Sequence, residues 1–310
     1  MLKNEYTEFQ KRVINLYIEH PEVKKLWEIF DRKRLYRRLG AEQDSEEGQL
    51  HLFVKGNSRV GKSQMMKKYK KLNKGYEHIK EDGTEIDIVP VAYMNCPAPF
   101  TKKGLYNQII KSLGATKMSG DVETIKDRAY FLLKEQKCEM LIIDELDYLL
   151  SSTYVSRKES MELIKGITNE TDVCLILVGT HETDKLRKLD QQYKGRFPPR
   201  TIPVFQTCDQ SFIDLLISIE EQLAIPDYSL ELGNADSAFP ELLHQLSGGL
   251  LGWLTPILRE AFAIVGVFEP DFKDFSILNN IDGNVLIQAR ENVLGEITEE
   301  DFDDVTTNKI

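Results

Sequence analysis

No stretch of this 310-residue sequence is apolar for anything near the ~20 residues that cross a bilayer, so no helical membrane span is expected. The opening residues, Met1-Leu2-Lys3-Asn4-Glu5, lack the apolar core of a secretion signal, and a cytoplasmic location is expected. Cysteine is scarce. The four present, at 96, 138, 174 and 208, form no C-x-x-C pair and lie in or beside apolar runs, which reads as reduced core residues rather than a disulfide framework. The five histidines, at 20, 51, 78, 181 and 244, have no metal-ligand spacing, and zinc is not expected. No internal repeat is visible. Positive charge is also in deficit: 40 Lys and Arg face 50 Asp and Glu, a net charge of −10, which argues against bulk electrostatic binding of DNA by the whole molecule.

The deficit is uneven. Residues 55–80 hold nine bases and one acid, Glu77, while residues 265–310 hold eleven acids and three bases, concentrated in Glu299-Glu300-Asp301-Phe302-Asp303-Asp304. A basic working surface and an acidic tail fit this asymmetry, as does a solvated face with a polar tail.

The basic segment contains Gly56-Asn57-Ser58-Arg59-Val60-Gly61-Lys62-Ser63, a complete G-x-x-x-x-G-K-[ST] phosphate-binding loop. Its glycines let successive backbone N–H groups turn inward on an anion. Lys62 can reach the β- and γ-phosphates, and the Ser63 hydroxyl can hold Mg²⁺. The flanks suit the motif: His51-Leu52-Phe53-Val54 is a buried-strand run, and Gln64-Met65-Met66-Lys67-Lys68-Tyr69 continues as a helix. Residues 56–63, with Gln64 after them, are the expected ATP-binding set.

Further on, Glu139-Met140-Leu141-Ile142-Ile143-Asp144-Glu145 is an apolar strand ending in two carboxylates, where parallel α/β sheets bind ligands. Asp144 is then placed to hold Mg²⁺ through water, opposite Ser63. Glu145 is the natural base for an attacking water. The plainer reading is a helix N-cap after a core strand.

Strands are expected near 50–55, 86–94, 139–144, 172–179 and 201–206, with helices between most of them, which implies a mostly parallel sheet covered on both faces. Residues 1–45 read as an N-terminal helical segment, with a polar linker at 40–48. The remainder divides into an ATPase core at 46–208, a small helical lid at 209–263 and an acidic C-terminal tail at 264–310. Thr180, after the strand Val173-Cys174-Leu175-Ile176-Leu177-Val178-Gly179, is a candidate to bond the attacking water or γ-phosphate, or else a satisfied turn threonine; His181 and Glu182 are weaker candidates. Arg196 first, then Arg200, could reach a neighbouring subunit's site as an arginine finger; an ordinary surface arginine is the alternative.

Taken together, Gly56–Ser63, Met140–Glu145, Leu177–Thr180, Gly195-Arg196-Phe197 and Gly249–Ala261 resemble an AAA+ ATPase, and more narrowly the TnsC/TniB group of transposition regulators. The resemblance runs through roughly residues 50–263. It implies an α/β fold, a P-loop AAA+ parallel sheet flanked by helices with a small α-helical lid. It also implies an ATP- and Mg²⁺-dependent oligomer, a ring or helical filament around double-stranded DNA, that links a target-selector protein to a transposase. Partner-stimulated hydrolysis then takes the filament apart. The DNA-facing positions it implies are Lys103, Lys102 and Ser119, within 100–106 and 116–120, and their lysines and hydroxyls suit phosphate tracking without base readout. The sequence departs from many AAA+ lids at one place: Trp253 stands where an arginine touching the γ-phosphate is common, with Arg259 the nearest arginine, and slow intrinsic turnover is expected. Two other readings share the core motifs. An initiator or helicase-loader ATPase would carry a basic DNA-binding domain, and a signalling or scaffold NTPase would use nucleotide only as an assembly switch.

Overall fold

A computed structural model of the chain describes residues 2–42, 51–225 and 228–296. The described residues form seven strands. Five of them, β1 (Leu52–Lys55), β4 (Val91–Asn95), β5 (Met140–Asp144), β6 (Cys174–Gly179) and β7 (Pro199–Thr201), make a parallel sheet in the order β4-β5-β6-β1-β7. The other two, β2 (Tyr76–Ile79) and β3 (Glu85–Ile88), form a separate antiparallel hairpin. In chain order the helices are α1 (Leu2–Ile14), α2 (Pro21–Glu42), α3 (Lys62–Leu72), α4 (Lys102–Ser112), α5 (Val122–Glu135), α6 (Asp147–Leu150), α7 (Arg157–Thr171), α8 (Asp184–Arg187), α9 (Gln191–Arg196), α10 (Gln210–Leu223), α11 (Phe239–Ser247), α12 (Leu251–Ile264) and α13 (Gly283–Leu294). None of the described helices is long and apolar enough to cross a membrane.

The chain divides into two compact units. The sheet unit comprises Glu22–Ser58 and Lys62–Pro203; the helical unit comprises Met1–Pro21, Arg59–Gly61 and Val204–Ile310.

In the sheet unit every residue of β5 and β6 is buried, as strands covered on both faces require. Alternation sorts their side chains. Leu141, Ile143, Leu175 and Leu177 join one core with Ile109 of α4, Leu133 of α5 and Ile164 of α7. α2 packs on α3 through Phe30 and Tyr69, whose rings meet edge-on at 5.1 Å. Arg34 fixes α2 to the sheet: its Nε donates to Glu139 at 2.7 Å and its Nη1 to the Tyr69 hydroxyl at 3.2 Å.

The helical unit has its own apolar cluster. α12 presents Leu251, Leu254, Leu258, Ala261 and Phe262 on one stripe, and these pack with Phe9 and Val13 of α1, Phe212 and Ile219 of α10, Leu243 of α11 and Leu286 of α13. Arg259 closes α1: its Nε and Nη2 donate to the carbonyls of Val13 and Leu16 at 3.1 and 3.0 Å, supplying donors at and just beyond the helix end.

Three sequence-based expectations are corrected. The strand expected at 86–94 is two elements, β3 and β4, because Val89 and Pro90 break it and β3 turns back on β2. The last strand, expected at 201–206, is the shorter β7, which shares only Thr201 with that range, although Ile202 N still donates to Lys55 O at 2.8 Å. The stretch after 264 is partly helical: a 3₁₀ turn at Phe275–Asn280 leads into α13, whose Leu286 and Ala289 are fully buried. Most of the expected linker at 40–48 and the acidic run at 299–304 lie outside the described residues.

Candidate nucleotide site

The parallel register brings three strand ends to one level. Lys55 of β1 pairs with Gly179 of β6, and Ile143 of β5 pairs with Leu177, so the phosphate loop, Asp144 and Thr180 all leave the sheet at its carboxyl edge. That edge is where an open α/β sheet holds ligands.

Residues 56–63 link β1 directly to α3, the strand–loop–helix context that the motif requires. Lys62 is nearly buried, and its Nζ donates to the carbonyls of Gly56 and Asn57 at 2.7 Å each, so the ammonium stands at the mouth of its own loop. Burial lowers its pKa, opposed by the negative field of Asp144, Asp147 and Glu145. Ser63 opens the first turn of α3, where helix-terminal N–H groups favour an anion.

Asp144 is 2% exposed and its carboxylate is held from both sides. Oδ1 accepts the Glu145 N–H at 2.8 Å, and Oδ2 accepts the Tyr93 hydroxyl at 2.8 Å. The Tyr93 hydroxyl also lies 2.8 Å from Asn95 Oδ1. One phenol on β4 thus braces the carboxylate expected to face the cation. Ser63 and Asp144 offer hard oxygen donors in adjoining positions, and this donor set fits Mg²⁺.

Glu145 sits half-buried in the left-handed region, at φ 58°, a conformation that strains a side-chain-bearing residue and recurs at functional positions. Burial raises its pKa, and repulsion from Asp144 and Asp147 adds to this, the direction that suits a general base. Thr180 is held by Asp147 on the first turn of α6. Its N–H donates to Asp147 Oδ2 at 3.1 Å and its hydroxyl donates to Oδ1. Sequence reading missed Asp147 and Tyr93. Neither falls in a linear motif with the loop.

The expected DNA-facing segments are also brought together. Asn107, one turn beyond Lys103 on α4, makes two bonds to Met118: its Nδ2 donates to the carbonyl at 3.1 Å and its Oδ1 accepts the N–H at 2.8 Å. This clamps the loop carrying Ser119 to α4. Lys103 and Ser119 are exposed, whereas Lys102 is paired with Glu159 at 2.6 Å. A further segment, not foreseen, borders them: Ser152 Oγ donates to Phe100 O at 3.2 Å, next to the exposed Tyr154, Arg157 and Lys158.

Arg196 is partly exposed on α9, and its Nη1 donates to Thr168 and Asn169 at the end of α7. Arg200, on β7, is exposed and bonds the neighbouring Pro199 carbonyl at 3.2 Å. His181 is exposed, its pKa lowered by desolvation and by the nearby Lys55 and Lys62, and Glu182 pairs with Lys185.

Three comparisons bear on this arrangement. The profile of a family described as bacterial TniB protein matches residues 17–207. Among solved structures, the Aeropyrum pernix ORC2 protein, in ADPNP–ADP complexes, superposes with a TM-score of 0.55 at 16% identity, over 88% of this chain and 70% of that one. Cdc6p from Pyrobaculum aerophilum gives 0.54 at 15% identity, over 92% and 70%. A Walker-type ATPase of Pyrococcus abyssi gives 0.50 at 18% identity, over 84% and 71%. The shared architecture is the AAA+ ATPase fold. No curated protein matches the chain by sequence.

Proposed function

We propose, for a chain that belongs to the bacterial TniB family and has the AAA+ ATPase fold, an ATP-hydrolysing regulator of DNA transposition that assembles on duplex DNA. It links a target selector to a transposase, and hydrolysis drives its disassembly. The observation that carries the ATPase part is the gathering of Lys62, Ser63, Asp144 and Glu145 at one sheet edge, with the Tyr93 hydroxyl bonded to Asp144.

The chemistry follows from these positions. The loop N–H groups and Lys62 bind the triphosphate. Glu145 takes a proton from water as the water oxygen attacks the γ-phosphorus, and the bond from that phosphorus to the β,γ-bridging oxygen breaks to release ADP and phosphate. Asp147 holds Thr180 so that its hydroxyl stays beside this edge. Mg²⁺, held by Ser63 and by Asp144 through water, would screen the charge of the phosphates. Arg196 exchanges Thr168 and Asn169 for the γ-phosphate of a neighbouring subunit, which makes turnover depend on assembly.

Lys103, Ser119 and Lys102 track duplex phosphates, with their two segments kept in register by Asn107. The TniB match and this clamp support the regulator reading over an initiator, to which the likeness reaches the fold alone. The test is electron microscopy of the full chain with a non-hydrolysable ATP analogue, with and without duplex DNA. Nucleotide-dependent rings or filaments enclosing DNA are expected. A nucleotide-bound monomer indifferent to DNA would overturn the reading and favour a scaffold NTPase.

A further inference from the structure

The phosphate loop has a strained residue in its middle. Arg59 has φ 63°, in the left-handed region that glycine adopts freely and other residues adopt at a cost. Two consecutive residues of α12 grip it. The Gly252 N–H donates to the Arg59 carbonyl at 2.6 Å, and the Arg59 guanidinium lies over the Trp253 ring, 4.4 Å from its centroid. The approach is so close that a Cβ on Gly252 would sit 2.4 Å from the Arg59 carbonyl oxygen and 2.9 Å from its Cα. Arg59, Gly252 and Trp253 belong to the same unit. The arginine of α12 itself, Arg259, is engaged with the carbonyls of Val13 and Leu16.

We infer that Trp253 is a positioning residue for nucleotide binding: with the Gly252 amide it holds Arg59 in the left-handed conformation that keeps the loop shaped for a phosphate. The inference rests on the reading of residues 56–63 as a nucleotide site. The tryptophan at the start of α12 therefore acts through the loop backbone rather than on the γ-phosphate. The cationic side chain that meets α12 at this point comes from the loop.

A double-mutant cycle separates this from general packing. ATP affinity is measured by isothermal titration with Mg²⁺, and turnover by phosphate release, for the full chain, Trp253→Ala, Arg59→Gly and the pair together. Trp253→Ala is expected to weaken ATP binding and raise KM about fivefold while kcat moves less than about twofold, the size of an exposed cation–π contact. Trp253→Phe, which keeps a ring and guards against loss of folding, should recover most of the affinity. In the Arg59→Gly background, Trp253→Ala should change affinity by less than about twofold, because glycine takes positive φ unaided. Equal losses in both backgrounds would overturn the inference, as would unchanged affinity in Trp253→Ala. Absence of ATP binding by the unsubstituted chain would remove the nucleotide reading itself, and this inference with it.

Discussion

The sheet unit and the helical unit treat their polar groups in opposite ways. In the sheet unit, polar groups are gathered at strand ends under stress: a buried Asp144, a Glu145 with raised pKa and positive φ, and a lowered Lys62. In the helical unit, Arg259 closes the end of α1 and Arg12 donates to Leu223 O at 2.7 Å at the end of α10, while Phe9, Phe262, Phe272 and Phe275 pack ring against ring. The sheet unit gathers perturbed charged groups where chemistry is proposed; the helical unit, which also holds the positive-φ Arg59, uses these polar groups to complete its own packing. Perturbed carboxylates and a strained backbone point to function, whereas satisfied helix ends do not.

Several substitutions would break this contrast, and the strongest effect is expected at the phosphate loop. Lys62→Ala should abolish measurable ATP binding in titration calorimetry while leaving the unfolding free energy within about 1 kcal/mol of the parent. If it destabilised the protein as much as a core truncation, the proposed division of labour would be false. Phe262→Ala, in the aromatic cluster, should cost about 3–5 kcal/mol of stability in denaturant titration. A change under about 1 kcal/mol would mean that the helical unit does not depend on that cluster.

Glu145→Gln should bind ATP normally yet turn it over about a hundred- to a thousandfold more slowly, read by phosphate release. Normal turnover would remove Glu145 as the base. Mixing Arg196→Ala with Lys62→Ala subunits sharpens the same point. Each lacks what the other supplies, so partial recovery of hydrolysis is expected if Arg196 acts across subunits.

His51 gives a pH dependence inside the sheet unit. It is buried, its Nδ1 accepts the Leu175 N–H at 3.0 Å, and burial, with Arg196 and Lys33 nearby, pushes its pKa down to about 3. The unfolded chain, with an ordinary histidine pKa of about 6.5, binds this proton first as pH falls. The contribution is therefore complete above pH ~6.5 and declines below it, by roughly 2 kcal/mol at pH 5. Denaturant midpoints at pH 7 and 5 should show the loss, and His51→Gln should flatten it. The smallest effect is expected at Lys103. Lys103→Ala should reduce the slope of log affinity for duplex DNA against log salt by about 1, with ATP affinity unchanged.

The phosphate loop, β5 and β6 were legible because their signals are local: a fixed eight-residue motif and short uninterrupted apolar runs. Their order along the chain was enough to expect a parallel sheet with a phosphate loop, and the sheet is parallel. The split of 86–94 was harder, since the apolar residues of β3 and β4 read as one run and only pairing with β2 separates them. α13 was hidden for a related reason: it is short and opens on Gly283-Asn284, which read as a turn, and the burial of its apolar residues depends on α12 being there to receive them.

By itself, then, the sequence determined the nucleotide motif, its pair of carboxylates and the alternation of strand and helix, because each is written in neighbouring residues. Only the tertiary structure decided that Tyr93 binds Asp144, that Asp147 holds Thr180, that Asn107 clamps the Ser119 loop, and that Arg59 rests on Trp253 rather than beside Arg259. These pairs recur at no fixed spacing. They form because strand register and helix packing bring together side chains that the chain holds apart, and no local propensity encodes that meeting.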